Sequence, residues 1–212
     1  EETSANEPVL SEASTGRRCA SYDVLKTQLQ QDPNLARKMN LIEDFTAQYE
    51  QNPSQFRLVN GVIEIPVVVN VLYNTAAQNI SAAQIASQIA VLNADFGATN
   101  SDINLTPSIF QTVLAGNTNI RFVLDTVIRK SSTTPSWGTN DGMKKAPKGI
   151  APTSPTTKLN MWCCNLSNGI LGYAQFPGGS SATDGVVIDD NAFGSTGTVT
   201  APYNKGRTAT HE

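Results

Sequence analysis

The sequence predicts an α/β protein: a twisted, mixed but mostly parallel sheet of about five strands, covered by helices and preceded by a small helical segment. Three observations carry that expectation. Val62-Ile63-Glu64-Ile65-Pro66-Val67-Val68-Val69-Asn70-Val71-Leu72-Tyr73 is a nearly continuous β-branched run, which suits a strand covered on both faces. A well-marked helix and then a second strand follow it, and that order suggests a right-handed parallel crossover. Upstream of the run, the periodicity is helical.

Taken in order, the chain opens with a polar lead ending at Gly16-Arg17-Arg18. It is expected to be disordered, as after removal of an export signal. Cys19 follows at once. A helix begins near Ser21, with Leu25 and Leu29 on one face. Asp32-Pro33 interrupts it and starts another, Asp32 as N-cap and Pro33 at the first helical position. Leu35, Met39, Ile42, Phe45 and Tyr49 form an apolar stripe at steps of three and four, ended by Asn52-Pro53-Ser54. So small a segment cannot fold alone, so the stripe is expected to pack on something else. After the long strand, Ser81 and Gln84 read as a capping box, and Ile80 and Ile85 as a hydrophobic staple. Ile85, Ile89, Leu92 and Phe96 form a buried stripe closed by Gly97. Ile120 to Ile128 is the second strand. Residues 131–157, rich in Ser, Thr, Pro, Gly and Lys, read as a long surface excursion. Leu159 to Cys164 is the third strand. Ile170 to Phe176, short and broken by Gly172, reads as an edge strand. Asp184 to Asp189 is the fifth, and a Gly/Ser/Thr loop leads to Gly206-Arg207-Thr208-Ala209-Thr210-His211-Glu212.

At 212 residues and 39% hydrophobic content the chain can bury a substantial core. A net charge of -3 gives no reason to expect nucleic acid or an anionic membrane as partner. No apolar stretch approaches the roughly 18 residues that a bilayer span needs. The low charged content, 16%, fits an exported protein, and the expected location is secreted or extracellular. The three cysteines are an odd number. Cys163 and Cys164 are neighbours on a strand, so they face opposite sides and make a poor metal pair; core positions are expected.

His211 is the one histidine. A His-Glu pair on a rising helix matches the start of H-E-x-x-H, in which two histidines one turn apart bind zinc and the glutamate is a general base. The dipeptide alone says little. Preceded by Leu171-Gly172-Tyr173-Ala174-Gln175-Phe176-Pro177 and Asp184-Gly185-Val186-Val187-Ile188, in that order, it resembles the pappalysin family of metzincin zinc peptidases. The resemblance implies the upper subdomain of a metzincin catalytic domain over residues 57–212, preceded by a latency propeptide over residues 1–56. The family pattern continues with two further histidines and a Met-containing turn, neither of which is present. A catalytic zinc takes three protein ligands. The chain is therefore expected to be a piece of a longer protein, inactive by itself.

The resemblance implies His211 as a zinc ligand and Glu212 as the catalytic general base. Gly172, Tyr173, Ala174 and Gln175 would belong to an unpaired strand edge that binds extended peptide substrate through its main chain. Arg18-Cys19 looks like a cysteine switch, in which the Cys19 thiolate would be a zinc ligand in the latent form. The neighbouring arginines would lower the thiol pKa and anchor to acidic residues of the cleft. Protein substrates and the chain's own propeptide are the partners implied. Cleavage between Asn52 and Arg57, just before Arg57, would release the enzyme. The family often binds calcium, and Asp184, Asp189 and Asp190 could serve; with no ligand-rich loop beside them they are read as solvated carboxylates. The rival reading is a non-enzymatic exported surface or adhesive domain that shares the fold.

Overall fold

A computed structural model describes residues 16–51 and 61–212. The polar lead before Gly16 and the expected junction at 52–57 lie outside the described residues. Six strands form one sheet: β1 (Arg18–Cys19), β2 (Ile63–Tyr73), β3 (Ile120–Ser131), β4 (Leu159–Cys164), β5 (Ile170–Ala174) and β6 (Val186–Asp189), in the order β1-β5-β6-β4-β2-β3. All neighbours pair in parallel except β5 with β6. The five expected strands are all present. The sixth is β1, contributed by the residues around Cys19.

β2 pairs with β3 on one side and β4 on the other. Its residues 67–72 are all buried, which is why its run is continuous rather than alternating. Alternate side chains feed two cores. Val67, Val69 and Val71 join Ile85, Leu92, Met161, Cys163 and Ile188 on one face; Leu72 joins Trp137, Trp162, Cys164, Tyr173 and Val187 on the other. The adjacent cysteines thus sit in different cores, both fully buried and free.

Helix α3 (Ala82–Phe96) covers the first face through Ile85 and Leu92, with Ile89 and Phe96 packed at the margin. Ser81 Oγ accepts from the Gln84 amide at 3.1 Å. Gln84 does not complete the box: its side-chain amide donates to Asp190 O and Phe193 O instead. The two buried polar residues of α3, Gln84 and Gln88, hold the loop between β6 and the last helix. Gln88 accepts from the Gly194 amide at 2.7 Å and donates to Gly206 O at 3.0 Å.

The excursion at 131–157 is not a surface loop throughout. Trp137, Met143 and Ile150 are core residues of the second face, and Trp162 Nε1 donates to Ile150 O at 2.9 Å. Lys144 lies fully inside, 3.0 Å from Asp141 Oδ1 and against the Trp162 and Tyr173 rings. The segment's polar composition concealed a few large apolar side chains that finish the core.

In the N-terminal segment, α1 (Ser21–Gln31) docks through Val24, not through Leu25 and Leu29. Helix α2 (Leu35–Gln51) buries Leu35 alone; Ile42 and Phe45 of the expected stripe are exposed. A 3.6-residue stripe shows which face a helix can bury, not how deeply it is buried.

Candidate metal and catalytic site

The site is built where the N-terminal segment, the margin of the sheet and the last helix meet. Helix α5 (Arg207–His211), next in the chain after the short α4 (Ser108–Gln111), starts from Gly206, whose φ is +70°. A Cβ there would also meet Val91 Cγ2 at 3.0 Å, so glycine suits both the turn and the approach to α3. Buried Ala209 packs into the core. Arg207 forms ion pairs with Asp95 at 2.8 Å and Asp102 at 2.6 Å; the first is made off the N–H axis, an ionic contact rather than a hydrogen bond. Thr210 Oγ1 donates to Asp95 Oδ2 at 2.8 Å. Hydrogen bonds from Asn100 and Arg207 hold the Asp102 carboxyl well below the usual range. These contacts fix α5 against α3 and so place His211 and Glu212.

Cys19 reaches them from the other end of the chain. Its thiol donates to Glu212 Oε2 at 3.1 Å. Ligand atoms of Cys19, His211 and Glu212 all lie within 4.8 Å of one another. Burial pushes the Cys19 thiol up, and the hydrogen bond to Glu212 adds to this, against an opposing amide hydrogen bond from Ser21. The lowering expected from the neighbouring arginines is therefore not found; burial holds the thiol up. Both are turned elsewhere: Arg18 pairs with Asp23, and Arg17 with Asp189, Asn191 Oδ1 and the Tyr203 ring. The anchoring role expected of them is seen for Arg17, at 3.2 Å from Asp189 Oδ2.

Asp189 and Asp190 are not solvated. They are 2% and 8% exposed, because β6 carries them inside. Asp189 also accepts from the amides of Leu166 and Asn191. The Asp190 carboxyl is pushed up to about 7 by burial and by Asp189 beside it. Asp184 is exposed and accepts from the Gly185 amide.

Strand β5 places Gly172 under the site. A Cβ there would lie 2.9 Å from Ile188 Cδ1 and 3.1 Å from Glu212 Cγ, so glycine leaves the room in which the Glu212 side chain lies. Tyr173 turns its ring into the second core, its hydroxyl donating to Asp141 Oδ1 at 3.0 Å. Gln175 is engaged with Gln28, Ser180 and Thr183. What these residues offer outward is main chain. That edge is not free: Arg18 N donates to Gly169 O, Ala20 N to Gly172 O, and Ala174 N to Ser21 Oγ. The edge-strand expectation is corrected to this extent. β5 has a sixth strand alongside it, from the segment that carries Cys19.

A thiol sulfur, an imidazole and a carboxylate drawn together in this way are a donor set suited to zinc. Glu212 Oε1 is buried and has no hydrogen-bond partner among the described residues, as fits a carboxylate that faces a cation or the water beside one. The residues therefore fit the metal as a partial set of two ligands and a proton acceptor.

Ser21, Asp95 and the Arg17–Asp189 pair escaped the sequence reading. Ser21 gave no signal, since it opens α1 and its partners lie in β5 and at Glu212. Gln84 and Gln88, four apart on one face of α3, were the signal for its loop-holding role.

No protein-family model and no curated protein matches the chain. Solved structures do. Mature mirolysin of Tannerella forsythia in complex with a cleaved peptide is 47% identical with a TM-score of 0.67, over 71% of this chain and 61% of that one. Mirolysin in complex with a small compound gives 46% and 0.67 over the same shares. A promirolysin mutant of T. forsythia is 40% identical with a TM-score of 0.76, over 92% of this chain and 66% of that one. The chain thus spans less than two thirds of each of these chains.

Proposed function

The chain belongs to the pappalysin family of metzincin peptidases, and we propose that it is part of a secreted zinc-dependent endopeptidase in its latent form. One observation carries this reading: Cys19, His211 and Glu212, from opposite ends of the sequence, meet within 4.8 Å. The greater coverage by the promirolysin chain than by the mature one supports residues 1–56 as propeptide and 57–212 as enzyme. The peptide in the mature mirolysin complex supports a peptide substrate. Among the described residues, no helix is long and apolar enough to cross a membrane.

His211 would hold zinc through a ring nitrogen, and Cys19 through Sγ while the protein is latent. Zinc, when bound, supplies Lewis acidity toward the scissile carbonyl and a lowered water pKa. Glu212 would take a proton at a carboxylate oxygen and return it to the leaving amine. The partnerless Oε1 is the atom suited to this; Oε2 is held by Cys19 and Ser21. The β5 main chain would receive extended peptide once residues 18–21 leave it.

The test is zinc content and proteolysis of the full-length protein. Stoichiometric zinc, with chelator-sensitive cleavage of a denatured protein after removal of the N-terminal segment, is expected. A full-length protein without zinc and without cleavage would overturn the reading and leave the non-enzymatic alternative.

A further inference from the structure

Ser21 touches two parts of the site at once. Its hydroxyl donates to Glu212 Oε2 at 2.6 Å and accepts from the Ala174 amide at 2.7 Å. A serine hydroxyl has one proton and two acceptor lone pairs, so a carboxylate on one side and an amide on the other use it in both senses. The contact to Glu212 is in the short, charge-assisted range. Neither partner is local: they lie 191 and 153 positions away. The hydroxyl has no role in its own helix either. The N-cap of α1 is Ala20, and no side chain caps that end.

We infer that Ser21 is a second latch, which restrains Glu212 beside the Cys19 thiol and by itself occupies the Ala174 amide. The inference rests on the protease reading and deepens it. Cys19 Sγ acts as a ligand beside His211. Ser21 shares Glu212 Oε2 with that thiol and alone takes the β5 donor that a peptide carbonyl would claim. Both residues must withdraw together, because they share one short segment joined to β5 by Arg18 N and Ala20 N. Latency then has two separable parts.

The experiment compares full-length wild type with Ser21→Ala, Ser21→Thr and Cys19→Ala. Two readouts are taken before processing: the rate at which iodoacetamide alkylates Cys19, and cleavage of a denatured protein. Cys163 and Cys164 are 0% exposed, and mass mapping of the peptide that carries Cys19 separates its alkylation from that of any other thiol in the full-length protein. Loss of a hydrogen bond to a charged group predicts alkylation about tenfold faster in Ser21→Ala, with a matching rise in cleavage by the unprocessed protein. Ser21→Thr, which keeps the hydroxyl, stays near wild type. Wild-type values in both readouts for Ser21→Ala would overturn the latch and leave the protease reading intact. Faster alkylation with unchanged latency would also overturn it, since Glu212 would then not be restrained. If the full-length protein freed of its N-terminal segment shows no chelator-sensitive cleavage, the protease reading falls instead. The alkylation rates then still decide whether Ser21 holds the segment.

Discussion

Arg17 Nη2 lies 3.2 Å from Asp189 Oδ2, joining the residue two before the Cys19 thiol to the end of strand β6. Asp189 is the buried partner, its side chain 4% exposed against 25% for Arg17. Removing the arginine leaves a buried carboxylate with two amide donors but no counter-charge. Arg17→Ala is expected to cost about 1–3 kcal/mol of stability, and Arg17→Lys less. Urea unfolding of the chain measures both; an unchanged midpoint for the alanine variant would show that the pair contributes nothing net.

Cys19 is the thiol within ligand distance of His211. Cys19→Ala in the full-length protein is expected to cleave a denatured protein without prior processing. A variant as latent as wild type would remove the thiol from the latency mechanism.

Glu212 is proposed to move the proton without being a zinc ligand. Glu212→Gln in the processed full-length protein is expected to retain zinc while kcat falls by about 10²–10⁴-fold, the usual contribution of a general base. Loss of zinc together with activity would instead make Glu212 a ligand.

Asp95 holds both Arg207 and Thr210 and so sets where α5 points. Asp95→Asn keeps the shape and loses the charge. Outer-sphere changes of this kind typically weaken metal binding by about 10–100-fold. Competition with a chromophoric zinc chelator on the full-length protein would read this, and wild-type affinity would restrict Asp95 to a structural part.

Asp190 yields a pH dependence. Its carboxyl is raised by burial and by Asp189 from the ordinary value of 3.8 to about 7 in the folded chain. A raised folded pKa means that the folded state binds the proton more tightly. The contribution to stability is full below about pH 4 and is lost as pH climbs toward 7. Asp190→Asn, which cannot ionise, is expected to gain on wild type between those values and to stay ahead at pH 8. Parallel stability curves across that window would refute the assignment.

Much of the fold was legible because it is written locally. The β2 run, the Ile85–Leu92 stripe of α3 and the placement of Cys163 and Cys164 in separate cores follow from periods of 3.6 and 2 within a few residues. The α2 stripe failed as a buried face, with Ile42 and Phe45 exposed, because periodicity states what a helix can bury and not how deeply the fold buries it. The acidic residues near β6 failed for a related reason. Asp189 reads as a surface charge until Arg17, 172 positions upstream, is known to meet it.

By itself, then, the sequence determined the mixed, mostly parallel α/β sheet and five of its six strands, the His211-Glu212 pair on the last helix, and a thiol placed early in the chain. Each is a matter of residue type and short spacing. The tertiary structure decided what those pieces do to one another: that Cys19 meets Glu212 across 193 positions, that β1 lies along the β5 edge, that Ser21 bridges Glu212 and Ala174, and that Asp95 steadies the helix carrying His211. Those contacts depend on which distant segments are buried together. Chain-local pattern cannot specify that, because the free energy of pairing two remote segments resides in their combined surface and not in either segment alone.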